Sequence, residues 1–296
     1  MKHLLQLSLL SVDEILAILQ DAKECSEGKH EESLKGKIVA NLFFEPSTRT
    51  QYSFNVAEER LGCKVVQFNA EASSRKKGES FYDTVKTFES FGIDAVVIRS
   101  RQDRYYDELV GKIQLPILNA GDGVKDHPTQ SLLDLFTIYE EFGRFDGLKI
   151  AIVGDIAHSR VARSNIDVMK RLGMEVYVSG PEEYRVEEYD FMDFDEAVRT
   201  MDIVMLLRIQ HERHEQSMHM SLKEYHEKYG LTMERVRQML PHAIIMHPAP
   251  FNRNVEIADD VVECEKSRIF RQITNGVNVR MAVLRRAMGG TDETVD

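Results

Sequence analysis

The chain has 296 residues, of which 43% are hydrophobic, enough for the cores of one large or two medium domains. Its formal net charge of −11 argues against general binding to nucleic acid or to a membrane surface. Any anion site must therefore be a local cluster of positive groups within an acidic protein. No apolar run is long enough to predict a transmembrane helix.

The first segment of interest is an apolar run, Leu4–Leu10. Acidic residues follow it at once and no small-residue cleavage site is evident, so we expect no signal peptide. The four residues that start at Ser11 predict a capping box, which opens an amphipathic helix to about Cys25.

Eight short apolar runs rich in β-branched residues alternate with helical patterns. In the first half they are Lys37–Phe44, Lys64–Phe68, Ala95–Arg99 and Pro116–Asn119. In the second half they are Lys149–Gly154, Glu175–Ser179, Ile203–Arg208 and Ala243–His247. Continuous apolar runs indicate strands buried on both faces, and strand–helix alternation indicates parallel sheets. We therefore predict an α/β protein of two domains, each a parallel-sheet α/β sandwich with helices on both faces.

The boundary between the two predicted domains is expected near Gly143–Gly147, after a long helix, Pro128–Phe142. Proline in the first turn and glycine just past the end are typical of a helix with these limits. A final helix is predicted at about Gly276–Met288, followed by a polar tail.

The segment Phe43-Phe44-Glu45-Pro46-Ser47-Thr48-Arg49-Thr50 lies where the first predicted strand turns into a helix. A helix N-terminus presents N–H groups and a partial positive charge, which hydroxyls and a guanidinium extend into a phosphate site. The candidate ligands are Ser47, Thr48, Arg49 and Thr50. The alternative is that serine and threonine only cap the helix and that the arginine is a solvated charge.

Further polar side chains follow other predicted strands at their carboxyl ends, where open α/β sheets bind ligands. They are Arg99, His127 and Gln130 of His-Pro-Thr-Gln, Arg160, Arg208, Gln210, and the segment His247-Pro248-Ala249-Pro250. Each is a weak signal alone, because a histidine before proline is usually a loop residue and a strand-terminal arginine is usually a surface charge. Their shared location indicates one functional region.

Three other segments have competing interpretations. The polar loop Asn69–Ser80 is long enough to be functional, although its composition alone favours a solvated charge run. Lys149–Asp155 lacks Gly-x-Gly-x-x-Gly, which argues against a nicotinamide enzyme. A metal site is not expected at His211, Glu212, His214 and His219, because their spacing is not His-Glu-x-x-His.

The dispersed cysteines, Cys25, Cys63 and Cys264, favour reduced structural thiols in a cytoplasmic protein.

The motif Phe-x-Glu-x-Ser-Thr-Arg-Thr resembles the carbamoyl-phosphate motif of the transcarbamoylase family, and the chain is similar to its aspartate-specific members over essentially its whole length. The other matching segments are Lys76–Glu79, Asn119–Gln130, the Arg160 loop, the residues around Arg208, and His247–Pro250. The chain departs from some members at Arg75 and Ala249, where they have glycine and leucine. The ornithine motifs His-Cys-Leu-Pro and Asp-x-x-x-Ser-Met-Gly are absent. An ornithine or other amino-acid carbamoyltransferase is the nearest alternative, and a silent relative that binds phosphate ligands is another.

The resemblance implies transfer of the carbamoyl group of carbamoyl phosphate to the amine of L-aspartate, a step of pyrimidine biosynthesis, without metal or organic cofactor. It implies a catalytic set of Arg49, Thr50, Lys77, Arg99, His127 and Gln130. Carbamoyl phosphate would be bound by this set with Ser47, Thr48, Ser73, Ala249 and Pro250. Aspartate would be bound by Lys77, Arg160, Arg208 and Gln210.

The resemblance also implies how the chain is divided and assembled. Residues 1–142 with 275–296 would bind carbamoyl phosphate, and residues 143–274 would bind aspartate. The protein would be a cytoplasmic homotrimer in which Ser73 and Lys77 reach the site of a neighbouring subunit. Some family members also associate with regulatory chains or with dihydroorotase. No nucleic acid or membrane partner is expected.

Overall fold

The computed structural model describes residues 2–70, 78–123, 125–209 and 220–289. Several residues singled out above lie outside this described part of the chain: Ser73, Arg75, Lys76, Lys77, Gln210, His211, Glu212, His214 and His219. Within it, no helix has the length and apolar character needed to cross a membrane.

The chain folds as two compact units, Met1–Phe136 with Ile273–Asp296 and Thr137–Gln272. In the first unit the strands are β1 (Ile38–Phe43), β2 (Lys64–Gln67), β3 (Ala95–Ser100) and β4 (Ile117–Asp122). They form a parallel sheet in the order β2-β1-β3-β4. The helices of this half of the chain are α1 (Val12–Ser26), α2 (Thr48–Arg60), α3 (Phe81–Ser90) and α4 (Pro128–Phe142).

The second unit repeats this strand order. Its strands are β5 (Lys149–Val153), β6 (Glu175–Ser179), β7 (Ile203–Leu206) and β8 (Ile244–Met246). They form a parallel sheet in the order β6-β5-β7-β8. The remaining described α-helices are α5 (Arg160–Arg171), α6 (Phe194–Thr200), α7 (Leu222–Tyr229), α8 (Met233–Val236) and α9 (Ile269–Ala287). The predicted fold class, with two parallel-sheet α/β domains, is confirmed.

Strands β1, β3 and β4 are buried along nearly their whole length, as their continuous apolar runs predict. Alternate residues of these strands, such as Leu42 and Ile98, pack on α3 side chains, including Phe81 and Val85. In the second unit Val153 and Leu206 belong to a core shared with α6. Each unit therefore has its own hydrophobic core.

Local sequence signals explain the start of α1. The Ser11 hydroxyl accepts a hydrogen bond from the Glu14 N–H at 3.1 Å, and the Glu14 carboxylate accepts one from the Ser11 N–H at 2.8 Å. The predicted capping box is confirmed, because side chains accept hydrogen bonds from the backbone N–H groups of Ser11 and Glu14.

The final helix differs from the prediction, since α9 begins at Ile269 rather than near Gly276. Glycine lowers helix propensity by roughly 1 kcal/mol relative to alanine, so Gly276 is unexpected in a helix interior. Gly276 nevertheless lies inside α9. A larger residue would not fit there, because a Cβ would come within 2.6 Å of the Arg280 Nη1 atom. Gly276 therefore provides space for a neighbouring side chain and does not mark the end of a helix.

The cysteines are free thiols in the described structure. Burial raises the pKa of Cys25 to about 11 and that of Cys63 to about 12. Thiols with such pKa values are protonated at neutral pH and poor nucleophiles.

Candidate active site

The first sheet reverses its strand order between β1 and β3, because β2 lies on one side of β1 and β3 on the other. Ligands of open α/β sheets bind in the crevice at the carboxyl ends of such a strand pair. The residues from Ser47 to Thr50 follow β1, and Arg99 pairs with Phe43 at the same end of β3. Sequence-predicted residues from two distant segments therefore meet at this switch point.

The turn after β1 leads directly into α2, with Ser47 in the N-cap position and an extended backbone. Within the described residues the Ser47 side chain makes no capping hydrogen bond. The cap interpretation therefore does not account for this serine. Thr48 and Arg49 are exposed, whereas Thr50 is buried against the sheet. The helix end thus combines N–H groups and hydroxyls of the kind that bind anions.

Arg99 lies at an irregularity between β3 and β4, where the pairing register shifts between Ile98 and Ser100. Such a bulge redirects a side chain. The guanidinium is almost fully buried, donates to the Ala120 carbonyl at 3.1 Å and pairs with Glu45 at 3.1 Å. Glu45 belongs to the recognised motif but was not predicted as a site residue. Its carboxylate balances the Arg99 charge in this structure.

His127 connects the two sides of the switch point. Its Nε2 atom lies 3.4 Å from the Thr50 hydroxyl and 3.4 Å from Arg99 Nη1. A guanidinium can only donate hydrogen bonds, so Nε2 accepts there and the ring proton belongs on Nδ1. Three predicted catalytic side chains, Thr50, Arg99 and His127, therefore form one buried cluster of hydrogen-bonding groups.

Gly121 makes room for this cluster. A Cβ at this position would lie 2.8 Å from Arg99 Nη1 and 3.6 Å from His127 Cδ2, and its φ of +123° disfavours any other residue. The sequence prediction ended this strand at Asn119, but β4 continues to Asp122. Glycine is needed here because the strand passes close to the Arg99 side chain.

Buried polar groups hold the loop between β4 and α4. The Asn119 side chain accepts a hydrogen bond from the Gly121 N–H at 2.9 Å. The Asp122 carboxylate accepts from the backbone N–H groups of Asp126, at 2.6 Å, and of Arg104, at 2.9 Å. These contacts fix the backbone immediately before His127.

Gln130 lies one turn into α4, where its amide nitrogen donates to the Asp134 carboxylate at 2.9 Å. Both side chains are buried. Because the nitrogen is engaged by Asp134, the amide oxygen is the group that can accept a hydrogen bond from a ligand. Asp134 was not predicted from the sequence; its position four residues after Gln130 on a helix was the available signal.

The second sheet has an equivalent switch point between β5 and β7, where Val153 pairs with Leu206. Arg160 opens α5 after β5, and Arg208 follows β7 by two residues. Both are half-buried. Two predicted cationic side chains thus lie beyond the carboxyl ends of neighbouring strands, as a site for carboxylates requires.

A buried contact between a histidine and a carboxylate holds the segment after β8. His247 Nε2 lies 3.4 Å from the Glu256 carboxylate, with both side chains essentially inaccessible to solvent. The other ring nitrogen accepts from the Ala249 N–H at 2.9 Å. Ala249 has a φ of +49° and precedes a cis peptide bond to Pro250. Glu256 is a further residue that sequence reasoning missed.

Taken within each unit, the fold and these clusters define a two-domain α/β transferase that acts on anionic substrates. Residues 2–140 match the family domain described as "Aspartate/ornithine carbamoyltransferase, carbamoyl-P binding domain". Residues 146–286 match "Aspartate/ornithine carbamoyltransferase, Asp/Orn binding domain". The chain belongs to the aspartate/ornithine carbamoyltransferase family.

Solved structures of similar chains agree with this assignment. The catalytic subunit of M. jannaschii aspartate transcarbamoylase is 35% identical, with a TM-score of 0.87 over 99% of this chain and 100% of that one. Aspartate transcarbamoylase from Trypanosoma cruzi, in complex with N-(phosphonacetyl)-L-aspartic acid, is 31% identical, with a TM-score of 0.86 over 96% and 94%. The same enzyme with carbamoyl phosphate and aspartate gives 31%, with a TM-score of 0.85 over 96% and 95%.

Proposed function

We propose a division of roles for the reaction of this chain, which transfers the carbamoyl group of carbamoyl phosphate to the amine of L-aspartate. The products are N-carbamoyl-L-aspartate and phosphate. The observation that carries the proposal is the cluster of Thr50, Arg99 and His127 at the switch point of the first sheet. The solved relatives carry the aspartate name, which does not favour ornithine as the acceptor.

The first unit binds carbamoyl phosphate. The N-terminus of α2, with Ser47, Thr48 and Arg49, receives the phosphoryl group, since N–H groups and a guanidinium favour a dianion. Gln130 accepts a hydrogen bond from the carbamoyl NH₂ through the amide oxygen that Asp134 leaves available. Ser73 and Lys77 add contacts to this substrate, as do the backbone groups of Ala249 and Pro250.

The proposed catalytic roles follow from where negative charge develops during carbamoyl transfer. The uncharged amine attacks the carbamoyl carbon, and negative charge grows on the carbonyl oxygen and on the departing phosphate. Thr50 and Arg99 donate to that oxygen. His127 joins them once its Nε2 atom carries a proton, in place of the bond that this atom accepts from Arg99 in the structure. Donors preorganised for developing charge give the largest electrostatic contribution to catalysis.

The second unit binds aspartate through Arg160, Arg208, Gln210 and Lys77. Arg208→Met tests this role, with Arg237→Met as a matched control because Arg237 is an exposed arginine of the same unit. Arg208→Met should raise KM for aspartate strongly and leave binding of carbamoyl phosphate unchanged. Normal aspartate kinetics in Arg208→Met would refute the assignment.

We also propose a homotrimer whose sites are shared between subunits, with Arg49 of one chain working with Lys77 of the next. Arg49→Ala and Lys77→Ala trimers should each be nearly inactive, because every site is damaged. Dissociation, mixing and reassembly should restore activity, since a mixed trimer has one interface with both residues intact. Confirmed mixed trimers without activity would exclude a shared site.

We further propose that the protein acts in pyrimidine biosynthesis and is located in the cytoplasm. Carbamoylaspartate formation supplies pyrimidine biosynthesis, and a cytoplasmic location agrees with the free thiols of Cys25, Cys63 and Cys264 in the described structure. Cell fractionation and growth of a deletion strain with and without a supplied pyrimidine test both points.

A further inference from the structure

Arg280 of α9 is a buried arginine beneath the first unit's site residues, with only 3% of its surface exposed. Its guanidinium carbon lies 5.1 Å from the centre of the Phe54 ring on α2. One terminal nitrogen donates to the Thr129 hydroxyl of α4 at 3.3 Å, and the other donates to the Gly276 carbonyl at 2.8 Å. The side chain is therefore packed between the two helices whose N-terminal turns carry site residues.

The position of the Arg280 guanidinium depends on a glycine that lowers the intrinsic stability of α9. Gly276 lies within α9, where glycine is less favourable than alanine by roughly 1 kcal/mol. A Cβ there would come within 2.6 Å of Arg280 Nη1 and 3.3 Å of Leu133. The missing side chain is what allows the guanidinium to occupy the space between α2 and α4.

Among the described residues, no carboxylate balances the charge of Arg280. Within the same part of the chain its Nε–H finds no acceptor. Burial, together with the positive charge of Arg99, lowers the pKa of Arg280 to about 9, so the group is still a cation at neutral pH. Arg99 differs, since Glu45 balances its charge. An unpaired buried charge is costly unless something else neutralises it.

Two of the three partners of Arg280 lie on the helices that begin at the proposed anion site. Phe54 lies one turn along α2 from Thr50, and Thr129 lies two residues after His127 in the first turn of α4. We propose that Arg280 is an electrostatic anchor for the phosphoryl dianion: the bound anion, rather than a protein carboxylate, balances its charge. Anion binding and the stability of the first unit are then coupled through this residue. The inference rests on the proposed function, since the anion is the phosphoryl group of carbamoyl phosphate or the phosphate product.

The test compares thermal unfolding and phosphate affinity in wild type, Arg280→Met, Arg280→Lys and Arg285→Met, with inorganic phosphate as the probe. Methionine is of similar length and removes the charge. Arg285 is the matched control, because it is another buried arginine of α9 but lies beside the Cys25 thiol. Lysine restores the charge without the planar group.

In phosphate-free buffer Arg280→Met should unfold at the wild-type temperature or above it, because replacing an uncompensated buried ion by an apolar group is often neutral or stabilising. Saturating phosphate should raise the unfolding temperature of wild type and Arg285→Met but have much less effect on Arg280→Met. The phosphate Kd of Arg280→Met should rise by about tenfold or more, equivalent to about 1.4 kcal/mol. Arg280→Lys should recover part of the affinity.

Wild-type phosphate affinity in Arg280→Met would overturn the proposal. So would failure of that variant to fold, or a larger loss of stability in phosphate-free buffer than Arg285→Met shows, since either result makes Arg280 a structural residue. Failure of the proposed function is a separate result: wild type would form no carbamoylaspartate, while the dependence of phosphate binding on Arg280 could still be measured.

Discussion

Substitution of Gly121 by alanine tests the geometry of the catalytic cluster most locally. The new Cβ would lie 2.8 Å from Arg99 Nη1, closer than a carbon and a nitrogen approach without a bond, so the guanidinium must move. The backbone φ of +123° adds strain of roughly 1–3 kcal/mol. If Arg99 donates to the carbonyl oxygen as we propose, its movement should lower kcat by roughly 10²–10³.

Gly111→Ala separates these two effects. Gly111 also has a positive φ, +82°, and no described atom lies within 4 Å of a Cβ placed there. Alanine at this position should therefore lower stability without changing activity. Urea unfolding measures the first quantity for both variants, and initial rates of carbamoylaspartate formation measure the second. Folded Gly121→Ala with the kcat of Gly111→Ala would refute the proposed role of Arg99.

Three further predictions concern single groups. His127→Ala should retain measurable activity, with kcat reduced by roughly 10²–10³, because the proposed role of the ring is to donate a hydrogen bond and not to act as a nucleophile. A covalent carbamoyl-enzyme trapped on His127 would contradict this. Activity should survive exhaustive chelation, and loss that zinc alone restores would instead indicate a metal site. Burial raises the pKa of Glu58 from its ordinary value of 4.5 to about 8, so the folded protein binds more protons between these pH values, and the free energy of unfolding falls as pH rises through that range. Glu58→Gln should remove this slope, roughly 1.4 kcal/mol per pH unit, while the exposed neighbour Glu59→Gln keeps it; unfolding titrations in which the slope survives Glu58→Gln would disprove the assignment.

The strands and the long helices were predictable because their signals are local. Apolar runs predicted the eight strands that the structure describes, and the Pro128–Phe142 helix has the limits expected from its flanking residues. The start of α9 was predicted wrongly because Gly276 makes room for the Arg280 side chain and does not mark a helix boundary. Arg280 lies on the next turn and packs against other helices, so this requirement is not visible in the local sequence. Glycine has no local signal that separates a boundary from a close contact.

The site residues were predictable to the extent that they follow strands. Arg99, His127, Arg160 and Arg208 all lie at or beyond carboxyl ends, where parallel strands converge. Their supporting partners were missed. Glu45, Asp134 and Glu256 have ordinary sequence contexts, and only the folded chain brings each carboxylate to the side chain it positions.

The substrate itself provides the most direct measurement. Isotope-labelled carbamoyl phosphate is incubated with the wild-type protein and equal amounts of L-aspartate and L-ornithine, and the ureido products are identified by NMR. The proposed function predicts labelled N-carbamoyl-L-aspartate with one phosphate released for each product formed, and no citrulline. Labelled citrulline, or phosphate release without a carbamoylated amino acid, would contradict it.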